Sequence, residues 1–219
     1  MNADPVLTPE ILIAAYRYGI FPMAENRDDP RVFWVDPEER GILPLDDFHI
    51  PRRLAQTIRN SDISIRIDTC FTEIIELCAA PSNNRPDSWI NTIIAEQYVE
   101  LYKVGHAHSI ECWLNDEVVG GLYGVSIGGA FFGESMFSRV RDASKIALVY
   151  LVARLKFGGY QLLDTQFLTE HLAQFGARSM EKEAYKYFLS GVVDLPADFN
   201  RLPETTPVQD VLHFSTQTS

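Results

Sequence analysis

Two apolar runs punctuated by glycine, Gly-Gly-Leu-Tyr-Gly-Val-Ser-Ile (120–127) and Ala-Phe-Phe-Gly-Glu-Ser-Met-Phe-Ser (130–138), flank the pair Gly128-Gly129. A Gly-Gly turn between such runs predicts two adjacent antiparallel strands. Glu134 is the one ionisable residue in the second run, and a helix is expected to begin soon after, at Asp142. Glycine inside a strand costs backbone entropy and packs nothing, so it usually marks a bulge or a close approach to the backbone. Glycines gathered around a single carboxylate point to a binding cleft.

The rest of the chain must supply a core for this pair. With 219 residues and 46% hydrophobic content, it is long enough for one large domain, or a main domain with a small satellite. A net charge of −11 argues against sequence-independent binding of polyanions, which rests on Lys and Arg. It leaves room for a local basic patch and suits a cationic substrate group. Cys70, Cys78 and Cys112 form no Cys-x-x-Cys pair and leave one over, the pattern of free thiols in a reducing compartment. No basic-then-apolar leader and no membrane-length apolar run is present, so a soluble, cytoplasmic protein is expected.

Thr8-Pro9-Glu10 starts a helix, with Thr8 as cap and Pro9 where its missing N–H is harmless, and Gly19 stops it. Ile20 to Met23 reads as extended, and short strands are predicted at 32–35 and 41–45, giving a small N-terminal unit over 1–45. From Pro51 a helix carries Arg52, Arg53 and Arg59. Residues 63–68 alternate as a half-buried strand, 71–79 form an amphipathic helix, and 81–87 are a loop. Trp89-Ile90 opens a longer helix ending near Gly105. Strands are expected at 108–114, 117–125 and 131–138, a helix at 142–157, a short strand at 162–164, and helices at 167–175 and 181–189. The tail from Val192 is expected to wrap the surface or fray. The fold class is α+β with a mainly antiparallel sheet flanked by helices, and 46–219 form the second domain.

Several residues invite a chemical reading, each beside a plainer one. Asp164-Thr165-Gln166 sits where a strand gives way to a helix: Asp164 is either a general base oriented with Gln166, or a helix cap. Burial would raise the pKa of Glu134 unless Arg139 or Lys145 pairs with it. Trp89 and Tyr98 fall on opposite sides of their helix, so one can sit in the core while the other reaches a cleft. His106 and His108 lack an acidic partner at ligand spacing, so no metal is expected. Ser135 has no evident His-Asp partners, and no phosphate or dinucleotide loop appears.

Taken together, these residues resemble the bacterial leucyl/phenylalanyl-tRNA–protein transferases. The matching pieces are Tyr-Arg-Tyr-Gly-Ile-Phe-Pro (16–22), Phe-His-Ile-x-Arg (48–52), Ser-Trp-Ile (88–90), Gly-His-Ala-His-Ser-Ile-Glu (105–111), Val-Gly-Gly-Leu-Tyr-Gly-Val (119–125), Phe-x-Gly-Glu-Ser-Met-Phe-Ser-Arg (131–139), Ala-Ser-Lys-x-Ala-Leu (143–148) and Asp-x-Gln (164–166). They occur in the family's order across roughly 8–190.

The resemblance implies a small N-terminal domain joined to a GNAT-like acyltransferase domain. It implies transfer of Leu or Phe from aminoacyl-tRNA to an N-terminal Arg or Lys of a protein, an N-end-rule mark for degradation, by a monomer using no metal or coenzyme. By the same resemblance Asp164 is the base, working with Gln166; Glu134 is our choice beside them for gripping the substrate amine or the acceptor's cationic end. Leu122 and Phe131 are candidate walls of an apolar slot, with Tyr123 and Ser138 beside the substrate. Trp89 and Tyr98 hold the terminal adenosine by stacking and hydrogen bonding, and Arg52, Arg53 and Arg59 meet acceptor-stem phosphates. Met23 stands where the family usually has the tryptophan of Phe-Pro-Trp, at the aminoacyl-adenosine end. Ala55 and Gln56 replace residues that are often basic, and Phe-Trp-Val-Asp (33–36) replaces Trp-Trp-Ser-Pro. A GNAT-like enzyme with a different acyl donor would need a pyrophosphate loop that this chain lacks. A silent binder of tRNA or of protein N-termini is the other alternative.

Overall fold

The computed structural model describes residues 7–81 and 87–216; the expected loop at 81–87 lies largely outside them. In chain order the elements are α1 (Pro9–Arg17), β1 (Phe21–Met23), β2 (Phe33–Val35), β3 (Glu39–Ile42), α2 (Arg52–Asn60), β4 (Ser64–Ile67), α3 (Phe71–Ala79), α4 (Thr92–Lys103), β5 (Ala107–Leu114), β6 (Glu117–Ile127), β7 (Ala130–Ser138), α5 (Ala143–Gly158), β8 (Leu162–Gln166), α6 (Glu170–Ala173), β9 (Arg178–Glu181), α7 (Lys182–Val192) and α8 (Val208–Thr216). The fold is α+β. Strands β1 and β2 form a small antiparallel ribbon, and the others a seven-stranded sheet in the order β4-β5-β6-β7-β8-β3-β9. Every pairing in it is antiparallel except β7 with β8.

That exception follows from α5, which carries the chain from the end of β7 back to the start of β8, and a crossover of this kind makes its strands parallel. Apolar residues surround α5 on all sides, and it is buried accordingly, filling one face of the sheet with α2 and α8. Its N-terminus lacks a cap from Asp142, and Ser138 Oγ accepts the Ser144 N–H at 3.2 Å instead. Helices α1, α3, α4 and α7 cover the other face with a second core.

Parts of the fold depart from the sequence reading. Helix α4 begins at Thr92, because Asn91 caps it by accepting the Ile94 N–H at 2.8 Å, so Trp89 lies before the helix. The tail, expected to wrap the surface or fray, forms a packed helix: α8 buries Val211, Leu212 and Ser215 against α5 and α2. Strand β9 precedes the helix expected at 181–189. Of the residues expected in a small N-terminal unit, β3 pairs inside the large sheet, between β8 and β9.

Irregularities in β6, β7 and β8 open the sheet beside Glu134. The register passes from Gly124 opposite Gly133 to Tyr123 opposite Ser135, leaving Glu134 as an extra residue on β7. This bulge reverses the alternation of side chains, so Phe132 and Phe137, five apart, face the same core. Gly124 is required here, since a Cβ would lie 2.3 Å from the Phe132 carbonyl oxygen. Strands β7 and β8 pair only over Ala130–Phe132 and Leu162–Asp164; beyond that β7 stays with β6, β8 stays with β3, and the sheet opens as a wedge.

Candidate active site

A cavity of about 280 Å³ fills this wedge. Leu122, Met136, Leu148, Leu151, Leu163 and Leu172 give it an apolar end on the α5 side of the sheet. Trp89, Tyr123, Glu134 and Gln166 form its other end. Backbone shape therefore makes the cavity, and the bulge turns a carboxyl group toward it.

Glu134 is 7% exposed and makes no ion pair among the described residues. Its oxygens accept Tyr16 Oη at 2.8 Å, Tyr98 Oη at 3.0 Å and Gln166 Nε2 at 3.2 Å, and the two tyrosine hydroxyls are 2.6 Å apart. Burial pushes its carboxyl up to about 8, against the lowering effect of the tyrosine hydrogen bonds. Arg139 and Lys145, the partners considered from sequence, are engaged elsewhere, with the Val118 carbonyl and with Asp142. The network joins α1, α4, β7 and β8 at one point.

Asp164 is fully buried and caps no helix; Thr169 caps the next one by accepting the Leu172 N–H. Its oxygens accept hydrogen bonds from Arg40 Nε at 3.0 and 2.9 Å, the Gln166 N–H at 2.7 Å and the Tyr185 hydroxyl, and Arg40 Nη2 lies 2.8 Å away as an ion-pair contact without hydrogen-bond geometry. Gln166 has φ of 57°, unusual for a residue with a side chain, and the Phe167 N–H reaches back to the Thr165 carbonyl at 2.7 Å. The Asp164 oxygen on the Gln166 N–H holds this strained three-residue turn. With Nε2 committed to Glu134, the Gln166 Oε1 has no hydrogen bond to protein among the described residues and is left to face the cavity. Beside it, Thr165 Oγ1 is buried with no hydrogen-bond partner among those residues.

Asp164, Gln166, Glu134, Trp89, Tyr123 and Leu122 are thus brought together. Tyr98 lies behind Glu134, fully buried with its hydroxyl on the carboxyl group, so it is not placed to stack on a base. Phe131 does not line the cavity; it packs on Phe199, with ring centroids 5.5 Å apart. Ser138 sits at the strand end, donating to the Val140 carbonyl. Met23 is tied to Trp89 through its neighbour, as the Ala24 N–H donates to the Trp89 carbonyl at 3.1 Å. Arg52, Arg53 and Arg59 are exposed on α2, beside α5. The three cysteines are free thiols, and no His/Cys/Asp/Glu cluster able to hold a metal occurs among the described residues.

The family model described as leucyl/phenylalanyl-tRNA protein transferase matches residues 42–190, and that of its N-terminal domain matches 6–38. The chain belongs to this family. It is 56% identical over 216 residues to the leucyl/phenylalanyl-tRNA–protein transferase of Caulobacter vibrioides, covering 99% of this chain and 100% of that one. The protein of the same name from Rhodopseudomonas palustris is 55% identical over 207 residues, covering 94% and 90%. That of Phenylobacterium zucineum is 55% identical over 199 residues, covering 91% and 90%.

Within this transferase fold, sequence reasoning missed Tyr16, Arg40 and Tyr185. Tyr16 lies in a stretch that carried the resemblance, but its hydroxyl meets Glu134 across 118 positions of chain. Arg40 did carry a signal: a lone cation beside the apolar run Gly-Ile-Leu (41–43) needs a buried partner.

Proposed function

We propose that this chain transfers leucine or phenylalanine from aminoacyl-tRNA to the N-terminal Arg or Lys of an acceptor protein. The observation that carries this reading is the cavity, where an apolar slot fit for a branched or aromatic side chain meets the Glu134–Gln166 pair. The aminoacyl ester is already activated, so the main task is to hold it against the incoming amine. The leucine or phenylalanine side chain enters between Leu122, Leu148, Leu151 and Leu172, while Trp89 offers a face to the terminal adenosine.

The acceptor amine must shed a proton as its nitrogen bonds to the ester carbonyl carbon and the bond to the ribose oxygen breaks; that oxygen takes up a proton on leaving. Gln166 Oε1 accepts a hydrogen bond from the amine; the Glu134 carboxyl, held protonated up to about pH 8 by burial, is the group that a cationic acceptor beside it would drive to its ionised form, and only in that form does it bind the cation and accept a proton. Asp164 works from behind, holding the Gln166 turn. Tagged in this way, the acceptor carries a new N-terminal residue, a mark for degradation.

The test is mass spectrometry of peptides that begin with Arg, Lys, Ala or Asp, incubated with leucyl-tRNA or phenylalanyl-tRNA and no coenzyme A. One residue is expected to be added to the Arg and Lys peptides alone. Equal labelling of all four would remove the acceptor assignment, and a requirement for coenzyme A would remove the donor.

A further inference from the structure

Arg40 has a side chain only 1% exposed, buried beneath the ribbon and the end of α1. Its Nη1 donates to the Gly19 carbonyl at 2.8 Å, and its guanidinium lies 4.4 Å from the centre of the Phe21 ring and 4.9 Å from that of Tyr185. Both remaining nitrogens reach Asp164. Tyr185 closes the group from α7 with its hydroxyl on the same carboxylate, and burial followed by the Asp164 charge keeps that hydroxyl protonated, its pKa well above the ordinary value.

A buried ion pair seldom adds net stability over apolar residues of the same volume, because two charges must be stripped of water. What this one delivers is geometry. The carboxylate so clamped grips the Gln166 N–H and keeps a positive-φ turn that an unrestrained glutamine would leave. That turn sets the Gln166 amide against Glu134. A chain of contacts therefore runs from Gly19 through Arg40, with Tyr185, to Asp164 and Gln166, and ends at the cavity.

We infer that Arg40 and Tyr185 are positioning residues for the transfer reaction, acting through Asp164 on the Gln166 amide. Neither lines the cavity. The inference rests on the transferase reading: a wild-type protein that transfers nothing would defeat that reading, whereas a normal wild type with insensitive variants would defeat the positioning alone.

The experiment is a double-mutant cycle on transfer kinetics, with Tyr185→Phe and Arg40→Lys each made alone and together with Asp164→Asn, all assayed well below their thermal midpoints. Tyr185→Phe is expected to lower kcat roughly tenfold, the scale of one hydrogen bond to a charged group. KM for tRNA and peptide should stay within about twofold, since neither residue touches substrate. In the Asp164→Asn background the same substitution should change kcat by less than about twofold, because the pathway is already cut. Arg40→Lys keeps the charge but loses the fork, and should behave alike with a larger loss. An unchanged kcat, a fall carried wholly by KM, or an undiminished loss in the Asp164→Asn background would overturn the inference.

Discussion

Glu134 concentrates the conflict between burial and function in one side chain. Its carboxyl holds a proton up to about pH 8 in the folded protein, where an unfolded glutamate would release it near 4.5. The folded state therefore binds more protons across that window, and the stability tied to this proton is fully present below pH 4.5 and lost as pH rises through 8. Glu134→Gln cannot titrate. Compared with wild type, it is expected to be relatively more stable at pH 8 than at pH 5 in urea denaturation. A wild-type-to-variant difference that is the same at both values would show that the carboxyl is not held this way. Its place in the sequence flagged Glu134, but its partners were out of reach, since Tyr16, Tyr98 and Gln166 lie 118, 36 and 32 positions away.

At the scale of elements, the sequence was most informative where local rules decide. The Thr8-Pro9 start of α1, the β5-β6-β7 meander and the glycine stop of α5 all follow from caps, alternation and turns. It was least informative where tertiary contacts decide. Strand β9 is four residues paired with β3, and α8 follows a proline and buries few side chains, so neither has a long period to read. The glycines taken as lining a cleft divide by task. Most let protein approach protein: a Cβ on Gly120 would sit 2.5 Å from that of Ala143, and one on Gly121 2.7 Å from the Ile110 carbonyl oxygen. Gly133 alone among these lines the cavity. Helix α2 carries its own expectation. Replacing Arg52 and Arg53 by Ala should weaken tRNA binding and flatten its dependence on log salt by roughly one unit per lost phosphate contact. A titration at several salt concentrations checks this, and an unaltered slope would move the tRNA contact elsewhere.

Over the whole molecule, the two cores lie on opposite faces of one sheet, and residues of both line the cavity at the opening between β7 and β8. Sequence motifs found the family and most of the residues near that opening; they did not show that Asp164 lies behind Gln166 with its oxygens occupied, because that arrangement needs β3 threaded between β8 and β9. With a net charge of −11, the chain must make any polyanion contacts through local basic patches and not through its overall charge. Among the described residues no helix is long and apolar enough to cross a membrane.

The central claim, that aminoacyl transfer takes place in the wedge, is tested most directly by the rate at which an Arg-initiated peptide gains leucine from leucyl-tRNA, with wild type and with Gly133→Ala. A Cβ at Gly133 meets protein only at ordinary contact distances, 3.5 Å from the Asp164 carbonyl oxygen and 3.8 Å from Leu163, so the fold should accept it. Gly133 lines the cavity, so the added methyl would take up space that the proposed reading gives to the ester. Wild type is expected to add one leucine, and the folded variant to do so roughly 100-fold more slowly, the scale of an ångström's misplacement of reacting groups. A peptide left unlabelled by wild type, or a variant as fast as wild type, would contradict the account.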